Sequence, residues 1–387
     1  MSETGPATTS TPMFTIAHAR VAQGTPWRQA LAACFERLEP VPAGANLGFL
    51  YATDAFAADL PAIVEALKER SGIRDWVGSI GVGIAAADQE YFDEPALALM
   101  VAALPPSAFR LIDNFGGAER DADSALARAA VWAKDQGPTV SVVHADPRNP
   151  RLTGLVEGLA EATSGFLVGG LTSSRGAIEQ VAGKVVEGGI SGVMLASSIA
   201  IATGLSQGCS PIGPSRTITA AERNVAFEID GRRALDVLRE DIGDVLSRRL
   251  ERLGDYIHAA LPVAGSDTGD YLVRNLAGID TQRGWVAIGE LIAAGDQIMF
   301  VRRDREAAEA DLVRMLARLK GRAPGAPKGG LYFSCVARGP NLFGPGSAEL
   351  AILRRELGAF PLVGMFCNGE ISNNRLYGYT GVLALFL

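Results

Sequence analysis

Residues 46–84 read NLGFLYATDAFAADLPAIVEALKERSGIRDWVGSIGVGI, and this stretch decides the fold class. Residues 46–53 form an apolar run typical of a buried strand, and Asp54 is placed to cap a helix that continues to about Arg70. Gly72 then serves as a helix stop. Residues 76–84 are a second apolar run. The stretch therefore predicts strand, helix and strand, which is the alternation of an α/β protein.

The same alternation extends in both directions along the chain. Further strands are predicted at residues 95–104, 139–144, 166–171, 193–203, 225–229, 331–337, 362–367 and 376–387. Further helices are predicted at about 151–162, around 234–238, from Asp304 to a stop at Gly321, and from Ser347 to Leu357. The sequence thus predicts alternating elements over most of its length.

The chain has 387 residues, which is more than one ordinary core holds, so we expect two α/β domains with mixed sheets. The turn signal Asp230-Gly231 places the boundary. The predicted domains are residues 13–229 and 230–387, and residues 1–12 are expected to form a disordered tail.

A short pattern recurs at three places after a predicted helix. It is Trp76-Val77-Gly78, Leu167-Val168-Gly169 and Leu362-Val363-Gly364. A repeated unit of helix and central strand would produce it. The alternative is that Val-Gly pairs are common in buried strands.

Charge and composition exclude several classes of protein. The net charge is −7 and the pI about 5.2, whereas nucleic-acid-binding proteins usually carry a basic patch. Residues 188–215 hold no charged residue, but their many Gly and Ser residues favour two buried strands over a membrane span. The N-terminus lacks the features of a signal peptide. We therefore expect a cytoplasmic protein with reduced thiols.

Common catalytic and cofactor motifs are missing from the sequence. It has no P-loop, no dinucleotide fingerprint, no G-x-S-x-G elbow and no H-E-x-x-H pattern. Its cysteines show no C-x-x-C spacing, and its three histidines lie far apart, so no metal site is predicted.

Polar residues cluster at the ends of the predicted closing strands. A ligand site is predicted at Arg338, Asn368, Gly369, Glu370, Tyr379 and Thr380. A guanidinium group suits a carboxylate and a glutamate accepts from an ammonium group, so Arg338 and Glu370 would suit an amino acid. The alternative is that these two residues form a buried ion pair that fixes two loops.

Several segments resemble the FIST family in the correct order. LYFSCVARGPNLFG (331–344) and PLVGMFCNGEISNNRLYGYTGVLALFL (361–387) are similar to the end of FIST-C domains. Residues 46–54, 76–84 and 169–174 are similar to FIST-N, and residues 207–214 and 234–238 to the connection between the two. The resemblance spans roughly residues 13–387.

The resemblance implies a sensory protein that binds a small ligand such as an amino acid. The family includes bacterial members. Its signal would pass to a separate partner, such as a histidine kinase or a cyclic-dinucleotide enzyme. Some members resemble haem-binding nitric-oxide sensors, and in that alternative His144 or His258 is the candidate axial ligand. A third alternative is an enzyme with Cys367 or Cys209 as nucleophile, which would require a neighbouring base.

Overall fold

The computed structural model describes residues 13–117, 122–247, 253, 256–263, 270–323 and 325–387. It confirms an α/β fold with mixed sheets. The predicted tail, residues 1–12, lies outside the described residues. The helices are α1 Trp27–Leu38, α2 Leu60–Ser71, α3 Ala122–Gln136, α4 Leu152–Thr163, α5 Ala234–Ser247, α6 Arg305–Arg322 and α7 Ala348–Leu357.

The strands form three similar six-stranded sheets and one eight-stranded sheet. The first thirteen are β1 Met13–Arg20, β2 Leu47–Thr53, β3 Asp75–Gly81, β4 Gly83–Ala86, β5 Gln89–Phe92, β6 Ala96–Ala103, β7 Phe109–Phe115, β8 Val140–Ala145, β9 Phe166–Leu171, β10 Gln180–Ala182, β11 Val185–Val186, β12 Ile190–Leu195 and β13 Ile201–Gln207. The next eight are β14 Cys209–Pro211, β15 Arg216–Glu222, β16 Val225–Ile229, β17 Arg232–Arg233, β18 Ile257–Pro262, β19 Tyr271–Asp280, β20 Trp285–Ile288 and β21 Gln297–Arg303. The last five are β22 Gly329–Cys335, β23 Leu362–Cys367, β24 Glu370–Ser372, β25 Arg375–Tyr377 and β26 Thr380–Phe386.

Three six-stranded sheets share one design. Their strand orders are β1-β6-β2-β3-β10-β11, β7-β12-β8-β9-β24-β25 and β13-β26-β22-β23-β4-β5. In each sheet the two central strands are parallel, and a crossover containing α2, α4 or α7 joins them. The chain therefore contains three structural units of the same topology.

The three units exchange hairpins. Strands β4 and β5 follow β3 along the chain but pair with β23, β10 and β11 follow β9 but pair with β3, and β24 and β25 follow β23 but pair with β9. Each sheet is thus completed by strands of another unit. This exchange ties the first, second and third units into one body.

The recurring Val-Gly pattern marks the same position in all three units. Gly78, Gly169 and Gly364 lie opposite Leu50, Val143 and Tyr332 on the neighbouring parallel strand. A Cβ atom at any of these glycines would run into the carbonyl oxygen of its partner residue. The pattern is therefore a true repeat, since each unit needs glycine where its two central strands approach closely.

A barrel is inserted into the third unit, between β13 and α6. Strands β15, β16, β20, β19, β18 and β21 pair in a closed ring, because β21 pairs with both β15 and β18. Leu235 and Leu238 of α5 join Ile218, Val286 and Phe300 in the core of this barrel. The predicted boundary between residues 229 and 230 falls inside the insertion, at the turn after β16, and stays a prediction.

Three predicted strands proved wrong because each is divided between two sheets. Residues 76–84 form β3 and β4, and the break at Val82 carries the chain from one sheet to another. Residues 376–387 likewise break at Gly378 and Tyr379, between β25 and β26. Residues 193–203 also divide, into β12 and β13. At residues 76–84 the apolar pattern continues because β3 and β4 are both buried, whereas β25 and β13 are mostly half-buried.

Helix boundaries follow the predicted caps with two exceptions, Gly321 and Asp54. Asp54 does not cap α2, because it begins a short 3-10 helix, Asp54–Asp59, and α2 starts only at Leu60. Gly72 ends α2 with a left-handed backbone, and the Asp304 side chain accepts from the N–H of Ala307 at the start of α6. Gly321 does not stop α6, which continues to Arg322. None of the helices in the described part of the chain is long and apolar enough to cross a membrane, and residues 188–215 contain β12, β13 and β14.

Candidate functional site

A cleft of about 340 Å³ lies where the barrel meets the carboxyl ends of β22 and β23. Strand ends of this kind are where ligand sites of α/β proteins collect. Its walls are Val273, Arg274, Asn275 and Gly289 from the barrel, and Cys335, Val336, Ala337, Asn368, Gly369, Gly378 and Tyr379 from the three-sheet body.

The structure separates the six predicted site residues into three groups. Asn368, Gly369 and Tyr379 line the cleft. Glu370 and Thr380 directly follow Gly369 and Tyr379 in the sequence, but both are fully buried and do not line the cleft. Arg338 is also fully buried and belongs to a different contact network.

Arg338 forms an ion pair with Glu349 of α7, and the predicted alternative of a pair with Glu370 was wrong. The Arg338 Nη2 atom lies 2.7 Å from Oε1 of Glu349, and both side chains are 0% exposed. Glu349 also accepts from the hydroxyls of Tyr332 and Ser334. The Gly339 N–H donates to its other oxygen at 2.9 Å. Both oxygens of this buried carboxylate therefore have hydrogen-bond donors, and Arg338 is occupied by a structural role.

Glu370 has a different environment, with only one of its oxygens engaged. Its Oε2 atom accepts from the N–H of Thr380 at 3.1 Å and from the Thr380 hydroxyl at 2.7 Å. Its Oε1 atom has no hydrogen-bond partner among the described residues. Burial raises the pKa of Glu370 to about 8, since the charged form is poorly solvated there. Glu370 is thus a buried carboxyl group that is mostly protonated at neutral pH.

Tyr379 joins the two walls of the cleft. Its φ angle of 64° is unusual for a residue other than glycine. Its hydroxyl donates to Oδ1 of Asn275 at 2.7 Å, and its ring lies 4.4 Å from that of His258 on the barrel. A strained residue of the body is therefore held by barrel residues on both its ring and its hydroxyl.

Arg274 makes a second connection between the walls. From the barrel strand β19 it donates to Oε2 of Glu290 at 2.9 Å and to the carbonyl oxygen of Leu376 at 3.2 Å. Arg274 could not be predicted from the sequence, because it is a single charged residue on a half-exposed strand. Arg274 reaches the same cleft as Asn368 and Gly369 only because the barrel packs against the three-sheet body.

Cys335 lies on the floor of the cleft, at a position where the other units use oxygen. In the first unit this position is Thr53, whose hydroxyl accepts from the N–H of Ala96. In the second unit it is Asp146, whose carboxylate accepts from the N–H of Gly188. Cys335 occupies this place in the third unit. The third unit therefore has a thiol at the position where the other two units have a hydroxyl or a carboxylate.

Burial does not activate the cysteines as nucleophiles. It raises the pKa of Cys335 and of Cys209 to about 12, and that of Cys367 well above its usual value. A catalytic thiol needs the opposite shift. Burial therefore disfavours the thiolate that Cys367 or Cys209 would need to act as a nucleophile.

The two candidate haem ligands are enclosed by other side chains. His144 is 0% exposed, its Nε2 atom lies 3.0 Å from the Tyr51 hydroxyl, and burial lowers its pKa to about 3. The ring of His258 is covered by Tyr379. Burial, with help from Arg303, lowers the pKa of His258 to about 4, and its ring nitrogens lack well-aligned partners in the described chain. Both rings are enclosed by other described side chains, so in this structure the two residues do not fit the role of an axial haem ligand.

Comparison with known proteins agrees with the order of the segments. The FIST N domain model matches residues 46–232, and the FIST C domain model matches residues 234–373. An uncharacterized protein of Mycobacterium tuberculosis (strain H37Rv) is 33% identical over 347 residues, which cover 86% of this chain and 88% of the relative. An uncharacterized protein of Mycobacterium bovis is 33% identical over 214 residues, or 52% of this chain and 54% of the relative.

Proposed function

The chain belongs to the FIST family, and from this premise we propose that it is a sensory protein that binds a small polar ligand in the cleft between barrel and body. FIST domains are recognised as sensory domains. The observation that carries the proposal is the cleft itself, whose walls come from the inserted barrel and from the strand ends of the third unit.

The polar groups of the cleft favour a ligand with several hydrogen-bonding atoms. The amides of Asn275 and Asn368 offer donors and acceptors, and the guanidinium group of Arg274 suits a carboxylate. Amino acids are therefore the first class to test. Arg338 is enclosed with Glu349 away from the cleft, whereas Arg274 lines the cleft and would bind a ligand carboxylate in place of Glu290, its partly exposed partner.

Ligand binding would act on the contact between barrel and body. A ligand that touches Asn275 on one wall and Asn368 on the other favours one arrangement of the two parts over others. The resulting change would be read by a separate protein, such as a histidine kinase or a cyclic-dinucleotide enzyme, as the family resemblance implies. The proposal needs no cofactor.

The experiment is a thermal-shift screen of the purified protein against the twenty common amino acids. A binder is then titrated by calorimetry against the wild type and Gly289→Val. The added side chain would project into the cleft, because a Cβ at Gly289 meets only Asn275 backbone atoms, at 3.6 Å or more, among the described residues. We expect binding to the wild type and its loss in Gly289→Val.

The matched control is Gly278→Val on the same barrel, away from the cleft. A Cβ at Gly278 meets no described atom within 4 Å, so this variant should bind as the wild type does. Equal binding by Gly289→Val would place the site elsewhere. A screen in which no amino acid shifts the melting temperature would remove amino acids as the ligand class.

A further inference from the structure

The guanidinium group that would bind a ligand carboxylate in the cleft already holds a carboxylate of the protein. Nε of Arg274 donates to Oε2 of Glu290 at 2.9 Å. Glu290 directly follows Gly289, which lines the cleft together with Arg274. A ligand carboxylate and the side chain of Glu290 would therefore compete for the same cation.

Arg274 is also held by contacts that do not involve Glu290. Its Nη1 atom donates to the carbonyl oxygen of Val273 at 3.1 Å, and its Nη2 atom donates to that of Leu376 in the three-sheet body at 3.2 Å. The Arg274 side chain is 17% exposed, whereas that of Glu290 is 37% exposed. The guanidinium group therefore keeps its position when Glu290 leaves, and the departing carboxylate moves into water.

Glu290 lies on a short segment between two anchored positions of the barrel. The N–H groups of Gly289 before it and of Ile292 after it donate to backbone carbonyl oxygens elsewhere in the barrel, at 2.9 and 2.7 Å. The Ile292 side chain is buried in the barrel core. Only Glu290 and Leu291 lie between these anchors, so Glu290 can leave Arg274 without disturbing that core.

Leu291 connects Glu290 to the protein surface. Its backbone N–H donates to Oε1 of Glu290 at 3.2 Å, so one carboxylate contacts both Arg274 and the backbone of the next residue. The Leu291 side chain is 75% exposed, more than any other large hydrophobic side chain in the described part of the chain. Movement of Glu290 therefore alters the backbone of a residue that a separate protein can contact.

We propose that Glu290 is a built-in competitor for the carboxylate of the ligand, and that a ligand carboxylate displaces it from Arg274 and releases residues 290–291. This inference rests on the proposed function and names the regulation of the same cleft. Displacement exchanges one carboxylate for another at Arg274, so it is open only to ligands that carry this group. A neutral ligand leaves Glu290 in place and does not change the backbone at Leu291.

The test uses acetate as the probe and acetamide as its neutral analogue, with the full-length protein at constant ionic strength. Two NMR signals are followed, the Nε–H of Arg274 and the backbone N–H of Leu291. In the wild type we expect acetate to move both signals with one dissociation constant, and acetamide to move neither. The Leu291 N–H should also exchange faster with water at saturating acetate, because it loses the carboxylate that accepts its hydrogen bond.

Removal of the competitor gives a second expectation. Glu290→Ala should bind acetate up to about fivefold more tightly, which corresponds to about 1 kcal/mol, the upper range for a partly exposed ion pair. Acetate should still move the Arg274 signal in this variant, but it should leave the Leu291 N–H nearly unmoved, since that group has already lost its acceptor. The matched control is Glu309→Ala, because Glu309 is similarly exposed and pairs with Arg305. The control makes the same change of charge and should bind acetate as the wild type does.

Three results would overturn the proposal. If acetate moved the Arg274 signal but not the Leu291 signal in the wild type, a ligand carboxylate would bind beside Glu290 rather than in its place. Equal acetate affinities of Glu290→Ala and Glu309→Ala would show that Glu290 does not compete. An Arg274 signal that acetate leaves unmoved in Glu290→Ala would show that this guanidinium group does not bind a carboxylate.

These measurements can be told apart from the amino acid screen. If the screen finds no binder while acetate displaces Glu290, amino acids are removed as the ligand class and the inference stands. If an amino acid binds the cleft and leaves the signals of Arg274 and Leu291 unmoved, the proposed function is supported and the inference is overturned.

Discussion

The hydroxyl of Tyr51 lies 3.0 Å from Nε2 of His144, and the two residues occupy equivalent positions in the first and second units. Phe333 holds the same position in the third unit. The ring centroids of the three residues are 5.5, 5.9 and 6.1 Å apart, which makes a nearly equilateral triangle. The three units therefore meet around an approximate threefold axis, with one residue from each at its centre.

Tyr51→Phe should destabilise the protein by about 1–3 kcal/mol, because it leaves Nε2 of His144 buried without a partner. The double variant Tyr51→Phe/His144→Phe gives all three units the residue found at Phe333. It removes both polar groups and should recover part of the loss. Urea unfolding of Tyr51→Phe, His144→Phe and the double variant measures the coupling energy between the two side chains. Additive losses would show that the Tyr51–His144 contact contributes nothing to stability.

Stability should depend on pH through Glu370. Its folded-state pKa of about 8 is raised from an ordinary value of 4.5, so between these values the folded protein holds a proton that the unfolded chain has lost. The wild type should therefore lose up to about 1.4 kcal/mol per pH unit relative to Glu370→Gln as the pH rises from 5 to 8. Urea unfolding at four pH values tests this expectation. Glu157→Gln, on the exposed side of α4, is the control and should follow the wild type.

Arg338 should prove important for stability rather than for ligand binding. Arg338→Ala leaves Glu349 buried without its charged partner and should cost about 3–5 kcal/mol. Arg305→Ala removes an exposed pair with Glu309 on α6 and should cost less than about 0.5 kcal/mol. Thermal and urea unfolding compare the two variants. A small loss in Arg338→Ala, accompanied by weaker binding of a cleft ligand, would restore Arg338 to the binding site.

The features that could be predicted from the sequence are those set by residues close to one another along the chain. The strand–helix–strand pattern and the Val-Gly repeat are local, and both were confirmed. The hairpin exchange is not visible in any local pattern, since β4 is as apolar as a continuation of β3 would be. The barrel was missed because its strands, such as Arg216–Glu222, are half-exposed and carry charges. Glu349 was missed as the partner of Arg338 because it lies on a predicted helix, eleven residues further on.

The partial success at the cleft has a similar cause. Asn368, Gly369 and Tyr379 stand out in the sequence because polar residues and glycine interrupt two apolar strands, and these three residues do line the cleft. Arg274 and Asn275 belong to the opposite wall, which approaches only when the barrel folds against the body. Polarity at a strand end thus locates one wall, and tertiary structure supplies the other.

The repeat makes one further prediction, which concerns Gly78, Gly169 and Gly364. A Cβ at each glycine would overlap the carbonyl oxygen of Leu50, Val143 or Tyr332, and backbone atoms of a central strand cannot move aside cheaply. Each Gly→Ala variant should therefore lose more than about 4 kcal/mol or fail to fold, a range typical of disrupted backbone packing.

The control is Gly158→Ala in α4, where a Cβ meets nothing within 4 Å among the described residues. It should stabilise the protein by about 0.5–1 kcal/mol, since alanine is the better helix former. Soluble yield, far-UV circular dichroism and urea unfolding compare the four variants. The three strand variants should behave alike, because the same close approach of two parallel strands occurs once in each unit. If one of them folded with nearly wild-type stability, the close approach would not be required in that unit, and the equivalence of the three units would fail there.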